Sequence, residues 1–184
     1  RADLRERLAR HVEEAYGTTV DPPRLFVTTG SSAGFILAFL ALFDPGDTVA
    51  IATPGYPAYR NILKALSLDI EEIETVAEDG WILTPQLVRA AHARKPLSGL
   101  LVASPANPTG TMMSGEALQE LIACCEELGI QFISDEIYHG LTYPEETGIA
   151  EVSALQFSDK AIIINSFSKY FCMTGWRVGW MGLP

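Results

Sequence analysis

Five short stretches of the 184-residue chain hold residue types suited to chemistry rather than to packing. The last, SFSKYFCMTGWRVGW from Ser166 to Trp180, places Lys169 after Ser166 and Ser168 and among Phe167, Tyr170 and Phe171, with Arg177 further on. An amine beside apolar surface and other cations gives up its proton more readily, and a free amine attacks carbonyl carbon. Arginine is a planar, permanently charged fork that fits a phosphate, and the serines are hydroxyl donors. In SDEIYHG, Asp135 follows an apolar run. A carboxylate at a buried strand end needs a cationic partner, and a protonated ring nitrogen would serve. Tyr138 could give its hydroxyl to a phenolate-type oxygen. ASPANPTGT offers Asn107 as a donor to a ligand oxygen, and the Asn107–Pro108 step is a candidate cis bond that would fix that side chain. ATPGYPAYR sets Tyr56 on a Gly/Pro-rich loop, where its ring could stack on a planar ligand. TTGSSAGF reads as strand, turn and helix, which frees the N–H groups of Ser32 and Ala33 for an anion.

Taken singly, each stretch has a plainer reading. These are a snorkelling lysine with a salt-bridged arginine, a turn-capping aspartate, an ordinary Asn-Pro turn, a loop tyrosine over the core, and a helix capped by Ser31 or Ser32. GSSAG also matches G-x-S-x-G, the nucleophile elbow of α/β-hydrolases, with Ser32 as nucleophile. That reading leaves Lys169 and Arg177 without a role and has only His92 and His139 downstream as bases.

The elements around these stretches alternate. Helix patterns cover ADLRERLARHVEEAYG, SAGFILAFLALF, YPAYRNILKAL, TPQLVRAAHARK and SGEALQELIACCEELG. Thr84 with Pro85 opens the fourth, and Ser114 and Gly129 bound the fifth. Short apolar strands fall at RLFVTTG, TVAIAT, LDIEEIETV, GLLVAS, IQFISDE, KAIIINS and WRVGWMG. Strands between helices of this length indicate an α/β domain with a mostly parallel sheet of about seven strands. Ligands of such sheets bind beyond the carboxyl ends of the strands. The polar stretches fall there repeatedly: Gly30–Ser32, Ser104–Gly110, Asp135–Tyr138 and Ser166–Lys169. One shared site is therefore expected.

Composition narrows the classes. A net charge of −10 argues against nucleic acid, which needs a basic surface. No apolar run approaches the ~20 residues of a membrane span. Cys124 and Cys125 are adjacent and Cys172 is distant, which gives neither a disulfide framework nor a metal site. His11, His92 and His139 stand at no metal-ligand spacing and are expected to be structural or solvated. A single-domain, cytoplasmic, reducing setting with no metal is expected. Together the five stretches describe a phosphate cradle, a ring stacker, a carboxylate for a ring nitrogen, donors for a ring oxygen and a lysine for a Schiff base. Pyridoxal 5′-phosphate (PLP) has all the matching groups.

GSSAG, PGYP, NPTG, SDEIY and SFSK…GWRVG, in this order from about Thr28 to Gly182, resemble the class I/II PLP-dependent aminotransferases of the fold-type-I superfamily. The resemblance implies a three-layer α/β/α sandwich. It implies that Lys169 carries PLP as a Schiff base and then serves as the base and acid of the proton shift. Asp135 would pair with the pyridinium nitrogen, Asn107 and Tyr138 would bond the ring oxygen, and Tyr56 would stack on the ring. The amides of Ser32 and Ala33, with Ser166, Ser168 and Arg177, would hold the phosphate. The reaction implied is ping-pong transfer of an amino group from an L-amino acid to a 2-oxo acid by a homodimer.

The family's chains are about twice this length. Residues 1–184 are accordingly expected to be the large cofactor-binding domain, without the N-terminal arm and without the small domain that supplies the arginine for the substrate α-carboxylate. Two alternatives share the cofactor. One is a C–S lyase or related fold-type-I enzyme, and the other is a PLP-sensing regulator domain.

Overall fold

The computed structural model describes residues 2–184. Five longer helices, α1 (Ala2–Tyr16), α2 (Ser31–Leu42), α3 (Pro57–Ala65), α4 (Pro85–Arg94) and α5 (Gly115–Leu128), alternate with strands, and a single turn, α6 (Pro144–Thr147), lies between the fifth and sixth strands. The strands are β1 (Leu25–Thr28), β2 (Thr48–Thr53), β3 (Asp69–Glu74), β4 (Gly99–Ala103), β5 (Gln131–Asp135), β6 (Ile162–Ser166) and β7 (Gly179–Gly182). Helix boundaries follow the expected caps. The Thr84 hydroxyl accepts from Leu87 N–H at 3.4 Å and the Ser114 hydroxyl from Ala117 N–H at 3.2 Å. Helix α1 buries Leu8, Val12 and Tyr16, one residue per turn along a single stripe.

The seven strands form one sheet in the order β1-β7-β6-β5-β4-β2-β3. Strand β7 is antiparallel to both neighbours, and all other pairings are parallel. Six strands therefore point one way. Period-two alternation divides the core between the two faces. Ala50, Leu100, Val102, Ile163 and Trp180 face α1, α4 and α5. Val49, Ile51, Leu101, Ile162, Ile164 and Met181 face α2 and α3. The expected three-layer sandwich is present.

This topology gathers the polar stretches. The carboxyl ends of β1, β2, β4, β5 and β6 lie on one edge of the sheet, and the reversed β7 begins at that same edge. Arg177 thus joins the others because β7 runs the opposite way. The expected strand WRVGWMG is shorter than its sequence suggests: β7 starts at Gly179, and Arg177 lies before it in left-handed backbone at φ 53°. Asn107–Pro108 is cis, as expected for that loop.

Candidate active site

A cleft of about 220 Å³ opens at this edge, and its walls include Ser32, Tyr56, Asn107, Asp135, Tyr138, Ser168, Lys169 and Arg177. Eight of the ten residues singled out from sequence thus share one cavity. Ala33 does not line it; it lies in the first turn of α2, behind Ser31 and Ser32, which do. Ser166 does not line it. Its hydroxyl is buried behind the cleft, donating to Ser168 Oγ at 2.8 Å and accepting from Ser168 N–H at 3.0 Å. Ser166 shapes the wall through Ser168.

The anion end is built by close approach. Helix α2 begins after Gly30 with no side-chain cap, so its first amides are free toward the cleft. Gly30 has φ 85°, and a Cβ there would lie 2.3 Å from Arg177 Nη2, so the guanidinium packs directly on the turn. A Cβ at Gly179 would stand 2.8 Å from the Ser31 nitrogen, which is how β7 admits the helix start. Arg177 donates to the Thr174 carbonyl at 3.0 Å and reaches Ser168 Oγ at 3.4 Å. Among the described residues it has no carboxylate partner. A cation held by neutral groups beside free helix amides can attract an anion such as a phosphate.

The opposite end is acidic. Asp135 is 2% exposed and, among the described residues, has no cation within ion-pair distance. Tyr59 donates to its Oδ2, and the Ile137 N–H donates to Oδ1 at 3.1 Å. Burial pushes its carboxyl up to about 6, and these two bonds pull the other way. The same burial drives the Tyr59 hydroxyl well above its ordinary value, so it remains a donor. Tyr59 was missed in the sequence because it belongs to the apolar stripe of α3. Its place after the PGYP loop was the available clue. Tyr56, at the α3 N-terminus, packs edge-to-face on Tyr59 with centroids 5.4 Å apart.

Between these ends, Asn107 Nδ2 donates to the Tyr138 hydroxyl at 3.3 Å, and Lys169 Nζ lies 5.4 Å from the centre of the Tyr138 ring. The expected setting of Lys169 is corrected here. Phe167, Tyr170 and Phe171 do not surround it; they line a separate cavity against α1. Residues 169–176 form turns and a short 3-10 segment, so neighbours in sequence point to different sides. The apolar run is largely exposed, with Trp176 at 74%. No histidine lines the cleft, so Ser32 lacks the histidine base that the hydrolase reading needs, and that reading fails.

The model for class I and II aminotransferases matches residues 1–183. The chain belongs to this family. It is 48% identical over 183 residues to the valine–pyruvate aminotransferase of Mycobacterium tuberculosis, covering 99% of this chain and 46% of that protein. It is 33% identical over 180 residues to an aspartate aminotransferase of Thermotoga maritima, covering 97% and 47%. A crystal structure of an aminotransferase from M. tuberculosis superposes with a TM-score of 0.94 at 47% identity, covering 100% of this chain and 46% of that one. Aspartate aminotransferase from Thermus thermophilus with maleate gives 0.92 at 32% identity. The chain spans about half the length of the curated relatives it matches. The family depends on PLP. Among the described residues no helix is long and apolar enough to cross a membrane, and no cluster could hold a metal ion.

Proposed function

We propose that residues 1–184 are the cofactor-binding half of a PLP-dependent aminotransferase that moves an amino group from an L-amino acid to a 2-oxo acid by a ping-pong mechanism. The observation that carries the reading is the pairing of a buried carboxylate lacking a cation with a guanidinium lacking an anion, at two ends of one cleft that also holds a lysine. PLP fits that donor set, with a cationic ring nitrogen for Asp135 and a phosphate for Arg177. When bound, the cofactor supplies an electron-accepting ring next to the carbon that loses its proton.

The chain's own residues do the rest. Lys169 offers the primary amine for attachment, and its Nζ is the group that takes and returns the substrate α-proton. Asp135, fixed by Tyr59 and Ile137, would favour a proton on the ring nitrogen through its negative charge in a water-poor site. Asn107 and Tyr138 offer donors to the ring oxygen. Tyr56, which lines the cleft, would offer its ring for stacking. Arg177, Ser168 and the amides of Ser32 and Ala33 hold the phosphate. The valine and pyruvate of the 48% identical relative are the first substrates to try, and a homodimer is the expected assembly.

The test begins with the cofactor. Borohydride should fix PLP irreversibly onto a peptide containing Lys169, and Lys169→Ala should abolish that label. Label retained in the variant refutes the assignment. The full-length enzyme should pass the amino group of valine to pyruvate or to another oxo acid. Ammonia and pyruvate formed with no amine transferred would identify a lyase instead. Light scattering should give the mass of two chains, and an active monomer would contradict the assembly.

A further inference from the structure

Beyond the cleft, on the α1 side of the sheet, lies a buried polar group that the proposed chemistry does not use. His139 is 8% exposed and follows Tyr138 directly. Its Nε2 lies 3.0 Å from the Ser104 carbonyl, and its Nδ1 lies 2.7 Å from the Tyr16 hydroxyl. A carbonyl only accepts, so Nε2 carries a proton; in the neutral ring Nδ1 then accepts from Tyr16. The imidazole therefore ties helix α1 to the first residue of the loop that follows β4.

Ser104 is the anchor of that loop. Its N–H donates to the Asp135 carbonyl at 3.3 Å, and its hydroxyl accepts from Met113 N–H at 3.0 Å. Ala106 N–H donates to the Thr111 carbonyl at 2.9 Å, and Gly110 N–H to the Ala106 carbonyl at 2.8 Å, closing the loop on itself. Asn107 sits in this closed loop and meets Tyr138, the residue before His139. Both members of the Asn107–Tyr138 pair thus lie within a few residues of a contact that His139 makes.

The charged and titratable groups facing the ring are accounted for elsewhere. Glu136 Oε2 lies 3.7 Å and Glu151 Oε1 3.9 Å from Nδ1. Glu136 already accepts from the Ser153 hydroxyl at 2.9 Å and from Ala154 N–H at 2.9 Å. Glu151 accepts from Gly140 N–H at 2.7 Å and from the Thr142 hydroxyl at 3.1 Å. On α1, His11 and Tyr16 complete the surroundings. Each carboxylate thus has its own hydrogen-bond donors besides the imidazole, whereas the Ser104 carbonyl has the imidazole as a direct donor.

We infer that His139 is a positioning residue: bridging Tyr16 and the Ser104 carbonyl, it fixes the 104–111 loop so that Asn107 meets Tyr138 at the cofactor's ring oxygen. The link to the ring oxygen rests on the proposed function; the fixing of the loop does not. Hydrogen exchange of the cofactor-free chain reads the loop. His139→Phe should speed exchange at Ala106, Gly110 and Met113 about tenfold, with the β4 amides unchanged. His139→Gln, whose amide N–H can reach the Ser104 carbonyl, should stay within about threefold of the parent. Tyr16→Phe should fall between them. Unchanged loop exchange in His139→Phe, or equal rates in His139→Gln and His139→Phe, overturns the inference. If His139→Phe does not fold, faster loop exchange in Tyr16→Phe than in His139→Gln supports it, and equal rates overturn it. In the PLP-loaded protein, His139→Phe should move the midpoint pH of the cofactor's absorbance transition by about half a unit or more. An unmoved midpoint overturns the link to the ring oxygen. Failure of the parent chain to take up PLP would sink the functional reading and leave the exchange result standing.

Discussion

Asp135→Asn should make the cofactor-free chain more stable at pH 8. Burial raises the Asp135 carboxyl from 3.8 to about 6 in the fold, even with Tyr59 and Ile137 bonded to it. Between those values the native state holds a proton that the unfolded chain has released. Stability therefore falls as pH rises through that window and is level above it. A rise of about two units corresponds to ~3 kcal/mol carried by the native state at pH 8. Asparagine removes the charge and keeps the shape. Its Oδ1 can accept from Ile137 N–H, and its Nδ2 can donate to the Tyr59 oxygen. The variant should gain ~2–3 kcal/mol at pH 8, about half of that near pH 5, and nothing below about pH 4. Urea unfolding of both proteins at pH 4, 5, 6 and 8 measures the difference, and groups common to both cancel. A variant no more stable at pH 8, or one whose advantage persists at pH 4, refutes the account. PLP should reverse the order, since the variant has no negative charge for a cationic ring nitrogen.

Tyr59→Phe removes one donor to a buried carboxylate, so the Asp135 carboxyl should rise a further one to two units or so, read by carbon NMR titration. Gly30→Ala puts a Cβ 2.3 Å from Arg177 Nη2 on backbone at φ 85°; PLP affinity should fall about tenfold or more, measured by fluorescence titration. Ser153→Ala takes a donor from Glu136, which is 1% exposed and whose carboxyl burial pushes up. It should cost about 1–3 kcal/mol at pH 8 and less as the carboxyl protonates, seen in the same urea series.

The strands were legible because burial on both faces leaves near-continuous apolar runs such as GLLVA and KAIIIN, bounded by Gly, Pro and polar residues. The helix limits were legible at Thr84, Ser114 and Gly129 because the caps satisfy backbone groups that nothing else in the local sequence can satisfy. The antiparallel turn of β7 was not. A four-residue strand carries no mark of its direction, and the direction is set by its pairing with both β1 and β6.

The cleft shows the same division between local and distant causes. Lys169, Asp135 and Arg177 stood out because a charge beside apolar sequence needs a reason, and the fold provides one for each at a single edge of the sheet. Their immediate neighbours misled, since the aromatic residues flanking Lys169 turn away from it and Ser166 faces the interior. The groups that settle the charges came from far along the chain. Tyr59 reaches Asp135 across 76 positions, and Tyr16 reaches His139 across 123. Both tyrosines occupy core positions of amphipathic helices, so their periodicity advertises only the apolar ring. The hydroxyl at the tip is a second function of the same residue, and only the packing of helix on sheet decides which buried acceptor it meets.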